Sequence, residues 1–347
     1  MKPARRIMVI ADFKEESPKS IRISQRMWVK GLIRAGCDVQ RFSYRNILTQ
    51  FNPFSGKHFR RFMPGFVKRY TDELLVEQIK AYYPDVVFIL SMKYLTPSTV
   101  KAIRHAAPSA IVVGRDEDPF PEKNAERLAI AAQCDMVVNT SAGPFLETYK
   151  KAGVPRCAFL PNVCDPDIQY RYAPDPAWQA DIIFTGKAIH QRLGLAGDRH
   201  HLVETISKMP HCRVYGSFGV PRVEGLDYFY ALSGAKITLS INITNDIPLY
   251  HSDRLINSLS CGTCVLAKRV PQTELLHQDQ KHLRYFDTEE EFFELAQWYL
   301  AHEDQRQQLA QAGMEHAHSH YNCTQMARYF LELIDGGDLD VPWKVIL

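Results

Sequence analysis

Ser252-Asp-Arg-Leu-Ile-Asn-Ser-Leu-Ser-Cys-Gly-Thr-Cys-Val-Leu-Ala267 holds a short helix pattern, a glycine stop and an apolar strand in direct succession. A helix is predicted over 254–260 and a strand over 263–267, which is the repeating unit of a parallel α/β sheet. The same alternation continues on both sides. Upstream, Asp181-Ile-Ile-Phe-Thr185, 212–215 and 236–241 read as strands, with helices over 200–208 and near Tyr228 between them. Downstream, a short strand over 282–286 precedes three helices, 289–301, 305–319 and 323–334.

An earlier series of the same kind fills the first half. Arg6-Ile-Met-Val-Ile-Ala-Asp12 is a strand, and 21–35 is a helix with Ile23, Met27, Leu32 and Ile33 on its apolar face. Gly36 stops that helix, because glycine reaches the left-handed conformation of a helix C-cap without steric cost. Strands follow at 39–44, Asp85-Val-Val-Phe-Ile-Leu90, 110–114, 136–140 and 157–160. The helices between them are expected over 72–82, from Thr96-Pro97, over 122–133, and over 142–152 with Ser141 as its cap. After Pro161-Asn-Val-Cys-Asp-Pro166, residues 167–178 are rich in proline and tyrosine and show no period, as a linker does. The expectation is α/β: two Rossmann-like, doubly wound parallel-sheet domains facing across a cleft. Residues 1–165 form the first, 166–178 the linker and 179–322 the second, with 323–347 returning to the first.

The chain has 347 residues, 46% hydrophobic and 23% charged, with a net charge of +3. That excludes a disordered chain and gives no general affinity for nucleic acid. No apolar run nears the ~18 residues that span a bilayer. Lys2, Arg5 and Arg6 precede an apolar run too short for a signal peptide, so it reads as the first strand. Eight scattered cysteines without a secretory signal read as reduced thiols of a cytoplasmic protein.

The 252–267 segment resembles the donor-binding helix of GT-B glycosyltransferases of the group 1 type, closest to the spore-maturation (CgeB-like) branch. Arg254 and Ser260-Cys261-Gly262 match that family's arginine and its small-Cys-Gly step. Pro271 to Leu276 resembles its turn-plus-Glu segment. Tyr299-Leu-Ala-His-Glu-Asp-Gln-Arg306 and Ala310-Gln-Ala-Gly313 resemble its closing helices, and Leu160-Pro-Asn-Val-Cys-Asp-Pro166 its crossing between domains. The likeness covers about 155–335 and is weak before it. It implies a metal-independent transferase, with no cofactor, that uses a nucleoside-diphosphate sugar. Ser252, Asp253 and Arg254 would meet the diphosphate at a helix N-terminus, where free N–H groups and the helix dipole favour anions. Gly186 and Lys187, with Arg192 as a spare, would oppose them, and Tyr215-Gly216 would lodge the base. The family's ribose-binding glutamate is Asn257 here, and the earlier glutamate of its Glu-x7-Glu pattern falls on Leu249. An amide can still bond a ribose hydroxyl, but the stereochemistry of transfer is left open.

Asp116, Glu117 and Asp118 follow a predicted strand of the first domain. One of them could face an acceptor hydroxyl as base or orienter, or the three could form a solvated acidic loop. The Asp-x-Asp spacing is also that of a GT-A metal site, in a single-domain architecture unlike this one. Asp12 and Arg115 occupy comparable strand ends. Cys261 and Cys264 have redox spacing but close a helix instead of opening one, so they read as small fillers. His316, His318 and His320 read as surface residues near a helix end. Between Val39 and Thr71 there is no acid, while Arg41, Arg45, Lys57, Arg60, Arg61, Lys68 and Arg69 interleave with aromatics. Residues 41–70 are either a loop packed into the first domain or an interfacial patch that docks on anionic lipid or receives an acceptor of like charge.

The implied reaction is transfer of a sugar to an envelope glycan, a lipid-linked glycan or a protein. A nucleotide-sugar epimerase on the same fold and a degenerate glycan-binding partner subunit are the alternatives. A nicotinamide enzyme is disfavoured, since Asp12-Phe-Lys-Glu-Glu-Ser-Pro-Lys has no glycine for a pyrophosphate to approach.

Overall fold

β1 (Arg6–Ala11) is apolar on both faces, with Ile7, Met8, Val9 and Ile10 all buried. A parallel strand covered by helices on both sides has no solvent face, so its residues do not alternate. The computed structural model describes residues 4–13, 23–51, 65–117, 121–188, 197–337 and 340–347. They divide into two compact units, 1–160 with 323–347, and 161–322.

In the first unit β1 is followed by α1 (Ile23–Arg34), which ends before Gly36 at φ +92°. β2 (Asp38–Ser43) then leads directly into α2 (Tyr44–Phe51), and α3 (Gly65–Tyr82) starts well before the expected position 72. The loop expected between strand and helix is therefore helical at both of its described ends. Tyr44 and Leu48 bury one side of α2, and Val67, Thr71, Leu75 and Ile79 form a four-residue-spaced stripe along α3. The unit continues with β3 (Val86–Ile89), α4 (Pro97–Ala106), β4 (Ile111–Asp116) and α5 (Ala125–Ala131). It then runs through β5 (Met136–Asn139), α6 (Pro144–Lys151) and β6 (Arg156–Phe159). Thr96 caps α4 in a reciprocal box with Thr99. Ser141 does not cap α6. Gly143 holds that position, and the Ser141 N–H and hydroxyl both donate to Asn139 Oδ1 instead. The six parallel strands run β2-β1-β3-β4-β5-β6, so the winding reverses between β1 and β3.

The second unit repeats the plan: β7 (Ala180–Thr185), α7 (Gly197–Ser207), β8 (Cys212–Tyr215), α8 (Leu226–Gly234), β9 (Ala235–Ser240) and α9 (Asp253–Ser260). β10 (Cys264–Lys268), β11 (Arg284–Phe286), α10 (Glu289–Ala301) and α11 (Glu303–His320) complete it. Its parallel order is β11-β10-β9-β7-β8, reversing between β7 and β9. α12 (Cys323–Asp335) packs on α1 in the first unit. Gly31 makes that contact possible, since a Cβ there would lie 2.0 Å from Cys323 O. The C-terminal residues close the β6 edge, with Phe159 and Cys157 N–H donating to Val345 and Leu347 carbonyls. Among the described residues no helix is long and apolar enough to cross a membrane.

Candidate functional site

Ligands of doubly wound sheets sit beyond the carboxyl ends of the strands, where the winding reverses. In the second unit that is the end of β7 and β9, and α9 begins there. The Arg254 side chain lies at this point. Its Nε donates to Thr185 O at 2.6 Å and its Nη1 to Ile241 O at 3.0 Å, so one guanidinium ties together the ends of the two central strands. Its carbon centre stacks 4.3 Å above the Phe184 ring. Nη2 faces Gly186, where a Cβ would come within 2.6 Å of it, and Gly186 sits at φ +136°. This approach therefore requires glycine on two counts, clearance and backbone conformation. Gly216 at φ +88° lies alongside: a Cβ there would be 3.1 Å from Gly186 O. The Gly186 N–H donates to Tyr215 O, and Ser217 Oγ donates to Gly186 O at 2.8 Å.

Arg254 is buried and makes no ion pair among the described residues, although neighbouring Asp253 attracts its charge. Desolvation, with repulsion from Arg199 next, lowers its pKa to about 10, against attraction from Tyr228, Tyr250 and Asp253. Arg199, on α7, is half-buried and also lowered by desolvation, and its Nε reaches Ala188 O at 3.4 Å. Lys187 is exposed and unpaired among the described residues. Two desolvated arginines and a nearby lysine outweigh Asp253 here, the kind of corner that a further anion stabilises.

The sequence-predicted donor residues thus come together in part. Gly186 lies against both Arg254 and Gly216, its N–H donates to Tyr215 O, and Lys187 follows it. The Ser252 N–H is already taken, by Asn242 Oδ1 at 3.0 Å, while Asn242 Nδ2 donates to Tyr250 O. Ser252 Oγ makes no cap bond and receives Arg254 Nη1 at 3.4 Å. Asp253 opens α9. Asn257 lies one turn further on, where its Oδ1 accepts from Gln169 Nε2 at 2.6 Å. Arg192 lies outside the described residues. Sequence reasoning missed Arg199 and Asn242. Asn242 lies two residues past the end of β9 and is legible as a strand-end amide, whereas no motif marks Arg199.

In the first unit Asp116 is buried against Arg127, at 3.0 Å, and accepts a short hydrogen bond from Tyr149. Glu117, half-exposed, pairs with Arg115 at 2.8 Å, and Arg115 stacks 4.9 Å from the Trp28 ring. Asp118 lies outside the described residues. Asp12, at the end of β1, is 4% exposed, with Arg45 Nη1 3.6 Å away and neither carboxylate oxygen hydrogen-bonded. Its one ion pair among the described residues, with Arg45, therefore lies where this sheet reverses its winding.

All eight cysteines are free, and burial raises the Cys261 and Cys264 thiols, the latter to about 12, so neither is a reactive thiolate. The histidines of α11 are not simply surface residues. His316 stacks on His282 with ring centres 3.7 Å apart and bonds Leu276 O, and His318 Nε2 bonds Gln169 O and Ser260 O. Only His320 is exposed among the three.

Residues 199–332 match the family model described as glycosyl transferase-like. A search among curated protein sequences gives no match. Among solved structures, the chain is similar to HepE from Anabaena in complex with UDP and glucose: TM-score 0.63, 11% identity, 96% of this chain and 100% of that one. It is also similar to sucrose-phosphate synthase from Thermosynechococcus elongatus, with TM-score 0.62, 14% identity, and 96% and 98% covered. A glycosyltransferase from Rickettsia africae gives TM-score 0.56 at 12% identity, with 96% and 98% covered. At these identities the likeness is one of fold. The chain has the GT-B glycosyltransferase fold, and its residues 199–332 match the glycosyl transferase-like family.

Proposed function

We propose that the chain is a glycosyltransferase that moves a sugar from a nucleoside-diphosphate donor to a hydroxyl of an envelope glycan, a lipid-linked glycan or a protein. The observation that carries the proposal is Arg254: a buried cation with no ion pair among the described residues, at the strand ends where doubly wound sheets hold their ligands. The donor's diphosphate would supply the missing negative charge. In the reaction an acceptor oxygen attacks the anomeric carbon, the bond from that carbon to the β-phosphate oxygen breaks, and the diphosphate leaves with the electron pair. Arg254, Lys187 and the N-terminal turn of α9 at Ser252 and Asp253 would stabilise the charge that develops on the leaving group. Arg192 would join them. This cationic set is why the reaction is proposed to run without a metal. Gly186 and Gly216 would let the backbone approach the phosphates, Tyr215 would contact the base, and Asn257 the ribose.

On the acceptor side Asp116 is engaged by Arg127 and Tyr149, which suits a positioning role. Glu117 and Asp118 are the better candidates to orient a hydroxyl. A place in the spore-maturation (CgeB-like) branch, a role in polysaccharide synthesis, and a cytoplasmic location at the inner membrane face belong to the same proposal. The membrane contact through residues 41–70 draws support from Phe51, Phe66 and Tyr70, which are 45%, 69% and 46% exposed beside Lys68 and Arg69.

HepE was solved with UDP-glucose as well as with UDP, which puts uridine donors first in a screen. The test incubates the protein with each nucleoside-diphosphate sugar, with and without candidate acceptors, and analyses the products. Acceptor-dependent release of nucleoside diphosphate supports transfer. Conversion of the sugar without acceptor would instead mark an epimerase, and complete inertness toward every donor would mark a non-catalytic partner subunit.

A further inference from the structure

Beyond β7, Lys187 stands between two residues whose backbones are held. The Gly186 N–H donates to Tyr215 O at 2.8 Å, and Gly186 O accepts from Ser217 Oγ at 2.8 Å. The Ala188 N–H donates to the same Ser217 Oγ at 2.6 Å, and Ala188 O accepts from Arg199 Nε at 3.4 Å. One hydroxyl thus spends its proton and a lone pair on the two peptides that flank Lys187. A trans peptide directs its C=O and N–H to opposite sides, so the bond to Gly186 O turns the Lys187 N–H away from Ser217. Among the described residues neither that N–H nor the Lys187 ammonium has a partner. Ala188 is buried in one core cluster with Phe184 and Leu202, whereas Lys187 is exposed. Ser217 is itself fixed, in a turn closed by Gly216 N–H to Val220 O at 3.1 Å and Val220 N–H to Ser217 O at 2.9 Å. Phe218 is held there at φ +50°, which a residue other than glycine keeps only where its surroundings impose it.

We propose that Ser217 is a positioning residue for the sugar donor, a role that rests on the donor reading of this corner. Its hydroxyl sets the Gly186-Lys187-Ala188 peptides so that the Lys187 N–H and ammonium together meet the donor's diphosphate. A backbone N–H held in place beside a cation makes a charge-assisted bond to a phosphate oxygen with no side chain to order. Without the hydroxyl, the loop keeps the Gly186 bond to Tyr215 O and the long Arg199 contact, and the two peptides around Lys187 are free to turn.

The test is titration of the full chain with UDP, GDP, ADP and dTDP, the tightest binder being carried through the variants. Ser217→Ala should weaken its binding about tenfold, and Ser217→Thr, which keeps the hydroxyl, should stay within about twofold of the unaltered protein. Combined with Lys187→Met, Ser217→Ala should cost less than the product of the two single losses, since one residue acts through the other. In protein labelled with 15N-lysine, the amide signal that Lys187→Met removes should shift when the nucleotide binds. That readout uses the unaltered protein, so it decides even where Ser217→Ala is unstable. Undiminished binding by folded Ser217→Ala, losses that multiply, or a Lys187 amide that ignores the nucleotide would overturn the proposal and leave the donor reading standing. No binding of any of the four by the unaltered protein would overturn both.

Discussion

Replacing Gly186 by alanine tests the contact on which the donor corner is built. At φ +136° an L side chain strains the backbone by about 1–3 kcal/mol. The new Cβ would lie 2.6 Å from Arg254 Nη2, where ordinary contact begins at 3.4 Å. The guanidinium cannot retreat freely, being held by Thr185 O at 2.6 Å, by Ile241 O at 3.0 Å and by the Phe184 ring below. Relief therefore breaks one charge-assisted hydrogen bond, a further ~1.5–3 kcal/mol. The sum, roughly 3–6 kcal/mol, should appear as a lower urea midpoint for unit 2. Gly219→Ala is the control: its φ is +80° with nothing within 4 Å, so only strain of about 1–2 kcal/mol is expected. In an Arg254→Met background the contact part of the Gly186→Ala penalty should vanish, giving a coupling above about 1 kcal/mol. Additive effects, or equal penalties at Gly186 and Gly219, would refute the packing argument.

Acid should destabilise the second unit through His251, His277 and His282, all at most 7% exposed. Burial lowers His251 to about 3 and His277 well below its usual value; burial and His316 lower His282 to about 4. Folded-state values below the unfolded ~6.5 mean that the unfolded chain binds more protons. Stability is then full above pH ~6.5 and falls toward pH ~4 by about 1 kcal/mol per pH unit for each histidine. Denaturant titrations across that window check this, and His282→Gln should flatten the slope. Gly31→Ala should cost unit 1 more than about 2 kcal/mol, read as a lower unfolding midpoint, because its Cβ would strike Cys323 O where α1 meets α12. Asp116→Asn removes the charge that pairs with Arg127 at 3.0 Å and should cost about 3 kcal/mol by the same assay, while donor binding by the folded protein persists.

The strands were legible because parallel strands read as unbroken apolar runs, as in Val86–Ile89 and Met136–Asn139. Gly36 was legible as a stop because nothing else fits its backbone. α2 was not, because its buried Tyr44 and Leu48 lie among arginines and exposed aromatics that blur the period. At the candidate site Arg254 could be found from its motif, but its burial could not, since it depends on Thr185, 69 residues away, and on Ile241 just past β9. The pairing of Asp116 was hidden for the same reason: Arg127 and Tyr149 belong to later helices. His316 looked like a surface residue because the ring it stacks on, His282, lies outside its own helix.

The central claim is that the buried Arg254 corner binds a nucleoside diphosphate. Isothermal titration of the full chain with UDP, GDP, ADP and dTDP measures this directly. At least one should bind with a dissociation constant in the micromolar range, about −8 kcal/mol. Arg254→Lys, which keeps the charge but loses the fork that spans Thr185 O and Ile241 O, should weaken that binding at least tenfold. No heat with any of the four up to millimolar concentration, or undiminished binding in the Arg254→Lys protein, would contradict it.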